Sequence, residues 1–329
     1  MDLWSLESFT KVCFSPSLAS PSKSQRSHRK CASLAHSRVS GFDRTITAMD
    51  SVPNIFIESV CASLSRESLE DLEGCRSALW NMGAKDMSRK AKEVRIDVSV
   101  CPESLVRSYT TYTDGFPTSL DDLRRTKYAR ISMHVVPWNT RPAVNDRLNS
   151  LFAYVSTRHV EELSMMSVDH IDSLFQNFLP LSVISTIKIW SCTFEADSAF
   201  PEWLRRTLRS NSLQDICIIG TTIEGRSEDV EEDLIHQSLI HGKRLKICMD
   251  GNRNFTNLKT PFLRRILELW TNSEKPFPRE VSYHIPYHCI KEMIAVQREY
   301  IGNEESGTLL HKSGSGKVTW ERFSITFRP

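Results

Sequence analysis

Seven short apolar runs spread over residues 94–285 constrain the fold of this chain more than any other feature. They are "VRIDVSV", "ARISMHVV", "HVEELSM", "STIKIWSC", "LQDICII", "RLKICMD" and "EVSYHI". Each shows period-two alternation or a β-branched apolar centre, the pattern of a strand. Between the later runs lie stretches with helical period: "HIDSLFQNFL", "FPEWLRRTLRS", "EDVEEDLIHQSLIHG" and "KTPFLRRILELWTN". Strand alternating with helix predicts an α/β fold over residues 93–329.

From about residue 160 the strands recur every 26 to 36 residues or so, the size of one helix-plus-strand unit in an irregular solenoid. Two helices share a local form, "WLRRTLRS" and "FLRRILEL". The regular L-x-x-L-x-L-x-x-N ladder is not evident, so two architectures stay open. One is a leucine-rich-repeat-like strand–helix solenoid, and the other is a compact α/β sheet with the same alternation. The closing stretch "TLLHKSGSGKVTWERFSITF" predicts a β-hairpin across a Ser/Gly turn, placed to cap the last unit.

The 329 residues exceed the usual single-domain length and leave ample chain for a core. Hydrophobic residues at 40% and charged residues at 25% belong to a globular chain, and a net charge of +2 gives no electrostatic case for nucleic acid. No run of about 18 apolar residues is present, so no membrane helix is expected. The nine cysteines stand singly, without a C-x-x-C pair, in contexts such as "DICIIG" and "LKICMD". That usage predicts reduced, buried thiols in a cytoplasmic or nuclear protein and an unused sequon at Asn254.

Residues 1–48 are rich in Ser and Arg and short of periodic apolar residues, so a disordered extension is expected there. Its Ser/Arg bias also fits a transit peptide, or an upstream start.

Signals that suggest chemistry give little. In "SGSGKVTW" the positions that a phosphate-binding loop requires as Gly and as Ser or Thr hold His311 and Val318. His284, His288 and Cys289 lie close in sequence, but a structural zinc needs four ligands, and no second pair is evident. "EGRSEDVEEDL" predicts a loop entering the first turn of a helix, where carboxylates meet the positive dipole end. The Arg pairs at 124/125, 205/206 and 264/265 are expected on solvated helix faces. Trp190, Trp203 and Trp270 are expected to pack against cores. No metal, cofactor or catalytic residue is assigned, and an enzyme is not expected.

Order is expected to begin at "MDSVPNIFIESVCASL". Ser51 is a helix cap and Pro53 suits a first turn, and Phe56, Val60 and Leu64 recur every four residues beside Ile57 and Cys61. A second helix continues through Leu69, Leu72, Cys75, Leu79 and Met82, and the basic run "KDMSRKAKEVR" closes a helical module over residues 49–92.

Val52-Pro53, Phe56, Ile57, Val60, Leu64, Ser68-Leu69, Leu72, Cys75, Leu79-Trp80 and Ala84 make this module resemble an F-box, in particular the divergent F-box-like families of nematodes. The family's opening Leu-Pro is Val52-Pro53 here, and Trp80 stands one position late. The resemblance implies that Val52, Pro53, Phe56, Ile57, Val60, Leu64 and Leu69 dock a Skp-type adaptor of a cullin-RING ubiquitin ligase. The downstream domain would then hold an unknown protein substrate, and catalysis would belong to other subunits. Two alternatives remain: a repeat-type scaffold with no ubiquitin role, and an α/β hydrolase or transferase.

Overall fold

The structure, a computed structural model, describes residues 52–64, 66–100, 107–137, 147–169, 175, 183–225, 227–301, 307–321 and 323–329. The chain divides into Met1–Thr45 and Ile46–Pro329, and every described residue belongs to the second unit. The extension expected over 1–48 and most of the helix expected over 170–179 lie outside the described residues.

The seven runs form β1 (Lys92–Val100), β4 (Ala129–Pro137), β5 (His159–Met166), β6 (Val183–Trp190), β8 (Asp215–Ile219), β10 (Leu245–Asp250) and β11 (Val281–His284). They lie side by side in chain order, all parallel, without a reversal. An antiparallel flank closes each side: β2 (Arg107–Thr113) and β3 (Phe116–Pro117) beyond β1, then β14 (Ser324–Arg328), β13 (Lys317–Glu321) and β12 (Thr308–Leu310) beyond β11. The protein is thus mixed α/β, built on a 12-stranded, mostly parallel sheet. The expected hairpin is β12–β13 across the Ser/Gly turn, and β14 carries it onto β11.

Period-two alternation sends every second side chain to one side of the sheet. Register lines these up as Ile96, Met133, Leu163, Ile187, Ile216, Ile247 and Tyr283, and as Val98, Val135, Met165, Ile189, Ile218 and Met249. None of the thirteen is more than 1% exposed. They share one core with residues of α5 (Leu148–Ser156), α6 (Phe200–Leu208), α7 (Glu231–Leu239), α8 (Thr260–Asn272) and α9 (Ile290–Ile301). At about 1.5–3 kcal/mol for each large apolar side chain buried, this face dominates the stabilisation of the sheet.

One turn recurs after β5, β6, β8 and β10. It passes through a left-handed residue each time: Ser167 (φ 51°), Ser191 (52°), Gly220 (63°) and Gly251 (65°). The turn amides of Ser167, Ser191 and Gly220 donate to the carbonyls of Trp190, Ile219 and Asp250 on the next strand, at 2.8–2.9 Å. Two residues further on, Asp169, Thr193, Thr222 and Arg253 form a second, narrow parallel ladder that includes β7 (Thr193–Phe194) and β9 (Thr222–Ile223). The side chains between the two ladders, Val168, Cys192, Thr221 and Asn252, are all buried. Asn252 accepts from the Thr221 amide at 2.9 Å and donates to the Ile218 and Thr256 carbonyls, so it ties successive turns together.

Residues 54–90 fold into α1 (Asn54–Ser63), α2 (Arg66–Glu73) and α3 (Ala78–Lys90), with α4 (Leu120–Arg125) further along the chain. The single helix expected through Leu69 and Met82 is divided in two. Gly74 and Cys75 donate to the carbonyls of Asp71 and Leu72, a tightened end after which Ser77 restarts the helix. Gly83 lets α3 lie close to α1: a Cβ there would stand 2.4 Å from Ile57 Cγ2.

Candidate functional site

Two surfaces present side chains outside the main core: the polar face of the sheet and the helical module. The residues between the core-facing ones form two rows on the sheet. One runs Arg95, Ser132, Glu162, Thr186, Asp215, Lys246, Ser282, and the other Asp97, His134, Ser164, Lys188, Cys217, Cys248. Most are half-buried or exposed, in contrast to the sealed opposite face.

Charges on this face pair with one another. Lys188 Nζ lies 2.6 Å from Glu162 Oε2, and Arg95 Nε 2.8 Å from Asp97 Oδ1. The first pair is three-quarters enclosed by its neighbours, so it orders this part of the face more than a fully exposed pair would. Burial raises the Asp215 carboxyl, with Lys246 and Lys188 opposing that shift. Burial likewise lowers His134, and Asp97 opposes it. Toward β1 the face deepens into a hollow of about 570 Å³ lined by Arg95, Tyr112, Arg130, Ser132, His134 and Glu161 among others.

The helical module keeps its own core of Ile57, Cys61, Leu69, Trp80, Ala84 and Met87, separate from the main one. Two of the residues expected to dock an adaptor, Ile57 (2% exposed) and Leu69 (1%), lie inside it. Val52, Val60 and Leu64 are half-buried against it, Pro53 is exposed, and Phe56 is 53% exposed with its ring edge-on to Trp80. Ile55 and Met82, which the period-four pattern did not single out for docking, are more exposed, at 77% and 62%. Met82 and Leu79 border a groove of about 310 Å³ between α1 and α3.

The module is seated on the ends of the strands where they begin. Tyr128, just before β4, packs on its core and donates its hydroxyl to Glu58, which also accepts from Lys127 Nζ at 3.2 Å. Those hydrogen bonds hold the Glu58 carboxyl below the usual range. The Arg66 amide donates to Glu161 Oε1 at 3.1 Å, Arg66 pairs with Glu93, and Asp71 pairs with Lys243 just before β10 at 2.9 Å.

Other expected features resolve as follows. His284 stacks on Phe323, the His288 ring lies 3.7 Å from Asp250, and Cys289 is buried. Among the described residues no group of three or more His, Cys, Asp or Glu is placed to hold a metal, and no helix is long and apolar enough to cross a membrane. Glu231, Glu232 and Asp233 occupy the first turn of α7. Arg124, Arg125, Arg206, Arg264 and Arg265 pair with carboxylates at the surface. Arg205 departs from the solvated face expected of it: it reaches Glu228, which is only 7% exposed, at 2.5 Å. Trp203 and Trp270 are buried, but Trp190 lies half-buried on the open side of the sheet, near Cys217.

The open rows were missed from sequence because each polar residue looks like the solvent side of an ordinary strand. The signal was available in the spacing, since the polar positions of β5, β6, β8 and β10 keep one phase relative to the turn that follows each of them. No family model, curated protein or solved structure matches the chain.

Proposed function

We propose that this chain is a non-catalytic recognition subunit, with a leucine-rich-repeat-like domain that presents its open sheet face to a protein partner and an F-box-like module that docks a Skp-type adaptor. The observation that carries the reading is the recurrent strand-and-turn unit. Its sequence form is Ile187-x-Ile189-x-x-Cys192-x-Phe194, then Ile216-x-Ile218-x-x-Thr221-x-Ile223, then Ile247-x-Met249-x-x-Asn252. This is a degenerate version of the L-x-L-x-x-N/C-x-L ladder, with Thr at one ladder position. A sheet wound in one direction with one face left open is the geometry by which such arrays recognise partners. The mixed charges of the face suit a polar protein surface.

Adaptor docking is supported by the exposed Ile55, Phe56 and Met82 on a module that has already closed its own core. Val52 and Leu64 pack on that core, so a charge there would unfold the module and mislead. Ile55→Asp with Phe56→Asp removes exposed apolar surface, and because the Phe56 ring also meets Trp80 of the core edge-on, circular dichroism checks that the double variant folds. In gel-filtration co-elution with a purified Skp-type adaptor, the full chain is expected to form a complex that the double variant weakens at least roughly tenfold, the equivalent of losing one buried aromatic. A full chain that does not co-elute, or a double variant that binds as well, would sink the adaptor reading.

A second reading has its own observation. The contacts from Glu58, Arg66 and Asp71 to residues at the strand starts suit a module that caps the sheet, in a scaffold with no ubiquitin role. Failure of co-elution together with intact folding favours it.

A further inference from the structure

Cys217 on β8 and Cys248 on β10 stand opposite each other in register, near the middle of the open face. Their chain neighbours Ile216, Ile218, Ile247 and Met249 point into the core, so both thiols point to the other side. Neighbouring strands lie about 4.7–4.9 Å apart, inside the roughly 4.4–6.8 Å between Cα atoms that a disulfide spans. Cys217 is 9% exposed, and Cys248 is half-buried. In-register side chains on parallel strands point the same way, so their Cβ atoms are about as far apart as the Cα atoms, and closure takes side-chain rotation with a slight approach of β8 and β10.

The surroundings favour a thiolate on Cys217. Cys248 on β10 and Lys188 on β6 flank it in register, and these two with the Trp190 indole pull its thiol down. These hold Cys217 below the usual thiol range, although burial and Asp215 push the other way. Cys192, in the turn after β6, meets backbone groups of Val168, Trp190 and Ser167, but burial outweighs them and pushes it up to about 11. Two cysteines on neighbouring units thus have opposite character, one built to be inert and one to react.

We propose that Cys217 and Cys248 are an oxidation site: a peroxide converts this dithiol into an intramolecular disulfide, with Cys217 as the attacking sulfur and Cys248 as the resolving one. The Cys217 thiolate forms an S–O bond to one peroxide oxygen, the O–O bond breaks, and hydroxide leaves and takes up the proton that the thiol had released. The Cys248 sulfur then attacks the sulfenic sulfur, its proton leaves with the departing oxygen as water, and the S–S bond forms. Two thiols lose two electrons in total, and one peroxide becomes two waters. The product ties β8 to β10 across the open face. The proposal is independent of adaptor docking.

The test uses the reduced full chain, hydrogen peroxide, a maleimide quench and peptide mapping without reduction. The expected first product is a Cys217–Cys248 peptide lighter by two hydrogens and restored by dithiothreitol, while Cys75 remains open to the maleimide. In Cys248→Ser, Cys217 is expected to stop at a sulfenic acid that dimedone traps, and in Cys217→Ser, Cys248 is expected to stay reduced. Circular dichroism checks that both variants fold, and the wild-type map stands without them. The proposal is overturned if Cys217 passes to sulfinic acid while Cys248 remains a thiol. It is also overturned if Cys75 oxidises before the pair does.

Discussion

Arg279 is the most informative residue to replace. It is 1% exposed, and its guanidinium meets three acceptors and no carboxylate: Nε donates to the Lys243 carbonyl at 2.6 Å, Nη1 to Gln237 Oε1 at 2.9 Å and Nη2 to the Leu213 carbonyl at 2.9 Å. One side chain thus holds the entry to β8, the entry to β10 and the last turn of α7 together. Gln237 has no freedom to turn away, because its own amide donates to the Leu208 and Ser210 carbonyls. Arg279→Met keeps most of the volume and strands the three acceptors. At about 1–3 kcal/mol for each buried group left unpaired, less the relief of burying a cation whose charge burial already opposes, the loss is about 3–5 kcal/mol. With a urea slope of about 3 kcal/mol/M for a chain of this size, the midpoint is expected to fall by roughly 1–1.7 M. Gly242→Ala attacks the same contact from the other side, since a Cβ there would lie 2.9 Å from Arg279 Cζ. It is expected to cost about 1–2 kcal/mol alone and clearly less in the Arg279→Met background, where the guanidinium is gone. An Arg279→Met midpoint within about 0.3 M of wild type, or strict additivity of the two changes, would refute the staple.

Two further outcomes follow from packing and burial. Gly83→Val places methyl groups where Ile57 Cγ2 already sits and is expected to destabilise the helical module by about 1–3 kcal/mol; hydrogen exchange should show faster amides in α1 with β6 unchanged, and unchanged α1 amides would refute the close approach. His134, His159 and His284 are all pulled below their ordinary value by burial. Below pH 6.5 the unfolded chain takes up protons that the folded chain resists, so stability is present above that value and is lost as pH falls toward the lowered folded values. His159→Gln retains a polar partner for Ser185 Oγ, 2.8 Å away, and is expected to flatten urea midpoints between pH 6.5 and 5, and an unaltered slope there rules out the histidine as its source.

The strands were the legible part of the sequence because each is declared by its own residues. "STIKIWSC" and "RLKICMD" alternate strongly enough to need no neighbour, and all seven such runs became the parallel sheet. β2 was missed since "RSYTTYT" has no apolar alternation: it is a strand by virtue of pairing with β1. The helix break at Gly74 was missed for the opposite reason, as the apolar spacing from Leu69 to Met82 continues across a turn that tertiary packing bends. The ladder after β6, β8 and β10 escaped because Thr221 occupies a place where the usual pattern carries Asn or Cys, and the apolar positions are Ile, Met and Phe in place of Leu. A buried side chain of similar size suffices where the backbone amides already pair between successive turns.

By itself the sequence determined the elements, their alternation and which residues of each strand share a side, because a period of two or 3.6 is a property of a single segment. Only the tertiary structure decided that the strands lie in unbroken order, that the polar rows stay partly open, and that Ile57 and Leu69 turn inward while Ile55, Phe56 and Met82 turn out. It alone decided that Cys217 stands in register between Cys248 and Lys188. The physical reason is that register between strands is set by the lengths and packing of the crossovers that join them, and no single segment contains that information.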